Sequence, residues 1–182
     1  MAWTYKPGDA KRKDFAVAYI IGAKTQEEAL ALTKESVELI GKGIEDMPMS
    51  YAAETDESQD ILGNNNYEIV AYAPSMTVDP LKVNGDVEYS HFIDEAFEKQ
   101  ATLTDLHVWY VCFKTYKTNE AGAFRAWIQE GVVELADFAS GMNGVSMSHT
   151  VHFVGPRTLG AMTVTEEAMS FTKDAAAEAE EL

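Results

Sequence analysis

Residues Val145-Ser-Met-Ser-His-Thr-Val-His-Phe-Val154 decide the fold class. Val145, Met147, His149, Val151 and Phe153 alternate with Ser146, Ser148, Thr150 and His152, dividing the side chains between an apolar and a polar face. A period of two belongs to a β-strand with one face buried and one in water, as in an antiparallel sheet. Upstream, Leu106–Tyr116 runs apolar on both faces, with Val108, Tyr110 and Cys112 against Trp109, Val111 and Phe113. Such a strand needs cover on both sides, from its own core and, as a candidate, from a neighbouring subunit. Residues 124–138 stay open on periodicity alone. Phe124, Trp127, Ile128, Val132, Leu135 and Phe138 fit a helix, while Gly131 and the β-branched pair Val132-Val133 argue for a strand.

The flanks add turns and helices. Gly155-Pro156 predicts a turn into a last strand pair over 159–164 and 168–172. Asp14–Gly22 reads as a short buried strand, and Thr25-x-x-Glu28 is a capping-box pattern that opens a short helix ahead of Leu30 and Leu32. Gly41 and Gly43 break the chain, and Pro48 keeps Met47–Tyr51 from a central strand position. Gly63 followed by three asparagines marks a turn within Asp60–Asn66. Tyr67–Val78 alternates as a strand interrupted at Pro74. In residues 87–100, Tyr89, Phe92, Ile93, Ala96 and Phe97 form one helical stripe, with Asp86 as the expected N-cap. The expectation is a mainly β (α+β) protein in three parts: a basic segment 1–13, one domain over 14–172, and an acidic tail 173–182.

The 182 residues carry 14 Lys+Arg against 30 Asp+Glu, a net charge of −16. Lys42 and Lys82 bracket a stretch without any basic residue, where Glu45, Asp46, Glu54, Asp56, Glu57, Asp60, Glu68 and Asp79 all fall. Gripping nucleic acid requires clustered Lys and Arg, because affinity comes from neutralising phosphates. Only the first fourteen residues have a basic excess, so tight nucleic-acid binding is disfavoured. No apolar run reaches the ~18 residues of a membrane span, and the start lacks the apolar core of a secretory signal. The sequence therefore predicts a soluble, unsecreted, acidic protein.

Catalytic and metal chemistry find little purchase. His149 and His152 lie three apart on one strand, so they point to opposite faces and do not converge on one ion. The cluster Glu54-Thr-Asp56-Glu57-Ser-Gln-Asp60 lacks the glycine and the spacing of a calcium loop. Cys112, the single cysteine, sits in an apolar strand and reads as a small hydrophobe. There is no G-x-S-x-G, no phosphate-binding loop and no dinucleotide fingerprint. The expectation is a protein that is not an enzyme, with no cofactor and no metal. One half-buried and one surface histidine are expected at 149 and 152.

The order of segments resembles the major tail proteins of phages, the subunits of the tail tube. Glu38-Leu-Ile-Gly-Lys-Gly-Ile-Glu-Asp-Met-Pro-Met-Ser-Tyr51 resembles that family's opening strand and turn, and Glu54–Asn66 its long hairpin. Tyr72-Ala-Pro-Ser-Met-Thr-Val-Asp-Pro80 is similar to its "Y-x-P-S" strand leading to a helix. Asp137-Phe-Ala-Ser-Gly141, Val151-His-Phe-Val-Gly155, Gly160 and Phe171-Thr172 resemble its closing strands. The similarity runs over about 36–172; the segment Thr25–Leu32 and the acidic tail look additional. The resemblance implies a β-sandwich or barrel-like core flanked by one helix at about 87–100, with a long hairpin arm, and favours a strand for 124–138. It also implies homo-hexameric rings stacked as a tail tube in the virion, assembled in the host cytoplasm with other tail proteins. DNA is then a passing cargo, and no membrane is involved.

Two surfaces follow as hypotheses. Asp56, Glu57, Asp60, Ile61, Leu62, Gly63, Asn64 and Asn65 belong to an arm that contacts a neighbouring subunit or the next ring. Glu130, Glu134 and Asp137 face the lumen, where like charge repels phosphate. The alternative from another class is a monomeric acidic β-sandwich that binds carbohydrate through Trp109 or Trp127. A metal-dependent enzyme around His149 is a third.

Overall fold

The computed structural model describes residues 3–5, 15–59, 61–83, 85–141 and 144–174. Most of the basic segment 1–13, the tail from 175 on, and Asp60 lie outside the described residues. The elements in chain order are β1 (Trp3–Tyr5), β2 (Phe15–Ile20), α1 (Gln26–Leu30), β3 (Val37–Leu39), β4 (Ile44–Asp46) and β5 (Met49–Gln59). They continue with β6 (Asn65–Lys82), α2 (Glu88–Lys99), a 3₁₀ turn (Leu103–Leu106), β7 (His107–Asn119), β8 (Phe124–Gly141), β9 (Gly144–Val164) and β10 (Met169–Lys173). None of the described helices is long and apolar enough to cross a membrane.

The ten strands among the described residues join one antiparallel sheet. Its central order is β3-β2-β7-β8-β9-β6-β4, with β1 on β7, β10 on β9 and β5 on β6. The chain is mainly β, and the sheet curls into a half-barrel. The sandwich expected from the sequence is thus one curled sheet with a core on each face. The first core gathers Val17, Tyr19, Met76, Val78, Tyr110, Met147, Val151 and Phe153 beneath α2. The second gathers Ala18, Ile20, Val111, Phe113, Ala126, Ile128 and Met162 beneath α1 and its flanking Leu32. Each large side chain taken fully out of water there contributes roughly 1.5–3 kcal/mol.

Among the described residues two α-helices flank the sheet, where the family resemblance implied one. This explains the doubly apolar strand at 106–116: Val108, Tyr110 and Cys112 face the α2 core, and Val111 and Phe113 face the α1 core. That strand is covered on both sides by its own chain over residues 108–113. Residues 124–138 are strand. Gly131 sits where a Cβ would lie 2.5 Å from Val151 Cγ1 and 2.8 Å from the Tyr110 ring, so only a bare backbone fits under that ring.

Three further expectations are corrected. Pro74 does not interrupt β6, because pairing to β9 ends at Ser75, and from there β6 pairs only with β5. A missing N–H costs nothing on that open side. Gly155-Pro156 does not reverse the chain: β9 passes through it as a bulge, with Glu130 opposite Val154 and Ile128 opposite Thr158. The N-cap of α2 is Val87, without a side-chain cap, rather than Asp86. Instead the Glu38 carboxylate on β3 accepts the Tyr89 N–H at 2.7 Å, adding a negative charge from a distant strand to that of Glu88 in the first turn. The capping box of α1 forms as read, between Thr25 and Glu28.

Candidate assembly site

The arm is the β5–β6 hairpin, and it is longer than the sequence suggested. From Ala52–Ala73 outward to Gln59–Asn65, the two strands pair only with each other. Eight residues of extended chain carry the arm roughly 25 Å from the sheet. Every described residue from 50 to 73 is exposed. The predicted arm residues fall at its outer end: Asp56 and Glu57 on β5, Asn65 at the start of β6, and Ile61, Leu62, Gly63 and Asn64 in the connecting turn. Gly63 takes a φ of +83°, and Gln59 Nε2 donates to its carbonyl at 3.1 Å.

The arm carries a surface that water does not favour. Ile61 is fully exposed, Leu62 is 82 % exposed and Val70 66 %, with Tyr67, Ile69 and Tyr72 exposed as well. Val70 is the extra residue of a bulge, since Glu54 pairs with Ala71 and Thr55 with Ile69. An isolated two-stranded ribbon is marginal in water, and this many exposed apolar side chains on one segment is unusual for a protein surface. Sequence reading placed Ile61 and Leu62 on the arm but missed Tyr67, Ile69, Val70 and Tyr72. Their signal was the 67–72 stretch, apolar on both faces within a segment too acidic and turn-rich to lie in a core.

At the arm's root, Tyr51 meets Arg157, whose guanidinium lies 5.1 Å from the Tyr51 ring and 4.9 Å from that of Trp127. Trp127 is buried, with Phe15 stacked on it at 5.7 Å and Lys114 Nζ above it at the same distance. A sugar platform needs an open ring face, and Trp127 has none. Trp109 packs against the α1 core.

The three predicted lumen acids share one face of the sheet. Glu134 lies opposite Thr150, Asp137 opposite Ser148 and Glu130 opposite Val154, all on the side turned away from Met147, His149 and Val151. Thr77 and Asp79 of β6 extend this polar face, with Ser148 Oγ donating to Asp79 Oδ1 at 2.6 Å. Two of the acids have histidine partners: His107 Nδ1 is 2.8 Å from Glu130 Oε1, and His152 Nε2 is 2.6 Å from Glu134 Oε2.

His149 points the other way and is 1 % exposed, fully rather than half buried. Its Nε2 lies 2.7 Å from Tyr89 Oη, which lies 3.3 Å from Tyr110 Oη. Burial raises both phenols, so they stay protonated, and lowers the imidazole to about 4. Its Nδ1 has no partner among the described residues. The alternation that separated His149 from His152 therefore holds, and these two residues form no common site. Burial pushes the Cys112 thiol up to about 12, leaving no thiolate at neutral pH.

No family model matches the chain, and no curated protein matches it. Among solved structures it is similar to a chain of one described as "Cryo-EM structure of the anti-feeding prophage (AFP) baseplate, 6-fold symmetrised". That likeness covers 86 % of this chain and 97 % of that one at 14 % identity, with a TM-score of 0.44.

Proposed function

We propose that this is a non-catalytic structural protein of a phage tail, a subunit that assembles with copies of itself into hexameric rings stacked as a tail tube. The observation that carries the reading is the arm: a long ribbon beyond the body's edge with Ile61, Leu62, Tyr67, Ile69, Val70 and Tyr72 in water. Covering them against a second copy, in the same ring or the next, removes the exposed apolar area and supplies the ribbon with the packing partner that it lacks. The order of sequence segments supports the tail-tube form of this assembly. The polar face with Glu130, Glu134 and Asp137 suits a lumen that DNA crosses without being gripped, because carboxylates repel the phosphate backbone.

Deleting residues 56–65 tests the reading. The shortened chain should keep the melting temperature of the full one, since the arm contributes no buried side chain. In negative-stain micrographs it should give no rings or tubes under conditions where the full chain forms them. Normal tubes from the shortened chain would overturn the role of the arm.

A further inference from the structure

A connected set of side chains joins the arm's root to the body. At the β9 bulge, Gln129 stands opposite the three residues Gly155, Pro156 and Arg157. Gln129 is 3 % exposed and spends both ends of its amide here. Its Nε2 donates to Gly155 O at 3.0 Å, and its Oε1 accepts from Arg157 Nε at 3.0 Å. The guanidinium so aimed lies 4.9 Å from the Trp127 ring and 5.1 Å from the Tyr51 ring, and donates from Nη2 to Tyr51 Oη at 3.1 Å. Tyr51 pairs with Pro74, one residue before the last contact of β6 with β9 at Ser75 and His152. The clamp therefore closes where the ribbon leaves the sheet.

Past that point the ribbon has only its own ladder, and a two-stranded ladder twists and swings more readily than a strand held on both edges. We propose that Arg157 is the positioning residue that holds the arm at one angle to the body, so that its apolar side chains meet a second copy in a single orientation. A guanidinium suits this task because it lies within cation–π reach of two rings while donating from Nε to Gln129 and from Nη2 to Tyr51, a fixed fork that an ammonium lacks. Buried Gln129 fixes the bulge and aims the guanidinium, and Trp127 supplies the rigid floor. The role rests on the assembly reading above, while the fixed angle is a property of the single chain.

The test uses the full chain with spin labels on S58C and T163C, both exposed positions, and with buried Cys112 left in place. Distances between the labels should form one narrow distribution. Arg157→Ala should broaden it with an unchanged far-UV spectrum, and Arg157→Lys should broaden it less. Tyr51→Leu should broaden it as much as Arg157→Ala, and the double variant no further, because both remove one interaction. If Arg157→Ala fails to fold, Tyr51→Leu decides alone. A distribution as narrow in these variants as in the parent overturns the proposal. In parallel, Arg157→Ala should slow tube formation by about tenfold, the loss expected when a contact surface is no longer preorganised. Tubes from the arm-deleted chain would overturn the arm's role in assembly, on which this inference rests, while the label distances would still decide whether Arg157 holds the arm.

Discussion

His149 couples folding to pH through burial. In the unfolded chain its imidazole titrates near 6.5, and in the fold at about 4, because desolvation opposes the charged form. A basic group whose folded value is depressed contributes stability that is whole above pH 6.5 and is lost as pH falls toward 4. The loss approaches about 3 kcal/mol at its limit. Urea midpoints measured from pH 7 to pH 4 should fall accordingly, and His149→Asn should flatten that slope. Gly131→Ala should be destabilised by about 1–3 kcal/mol in the same assay, since its methyl meets Val151 and the Tyr110 ring. At this scale the sequence revealed that His149 faces inward, by alternation. It did not reveal the hydrogen bond to Tyr89, which lies 60 residues away on another element.

Elements were legible where their signals are local. The capping box of α1 joins residues three apart, so Thr25 and Glu28 could be paired on sight. The cap of α2 could not, because Glu38 precedes Tyr89 by 51 residues and arrives through the sheet. Glu38→Ala should cost about 1 kcal/mol at neutral pH, while Asp86→Ala should cost less. Paired chemical-denaturation curves distinguish the two. Gly155-Pro156 misled for a related reason: a Gly-Pro pair is compatible with a turn or a bulge, and the choice depends on whether a partner strand runs past it. Here β8 does, with Gln129 bridging the gap.

For the whole molecule, charge sets the terms of association. Copies that each carry −16 repel one another, and the apolar contacts of the arm must outweigh that repulsion. Raising salt from about 50 mM to about 500 mM shortens the screening length from more than 10 Å to a few ångströms, and should speed tube growth followed by light scattering. Slower growth at high salt would instead mark the subunit contact as ionic. Reversing Glu130, Glu134 and Asp137 together to Lys should make assembled tubes retain DNA in a salt-dependent way. The sequence by itself determined the mainly β character, both helices, the place of the arm and the acidity that disfavours a grip on nucleic acid. Each of these follows from residue type and short-range period. Only the tertiary structure decided that the ten described strands join one curled, open sheet, that β7 is covered on both sides by its own chain, and that Arg157 meets Tyr51 at the arm's root. Those outcomes depend on which distant strands pair, and pairing is governed by packing between segments that no local pattern records.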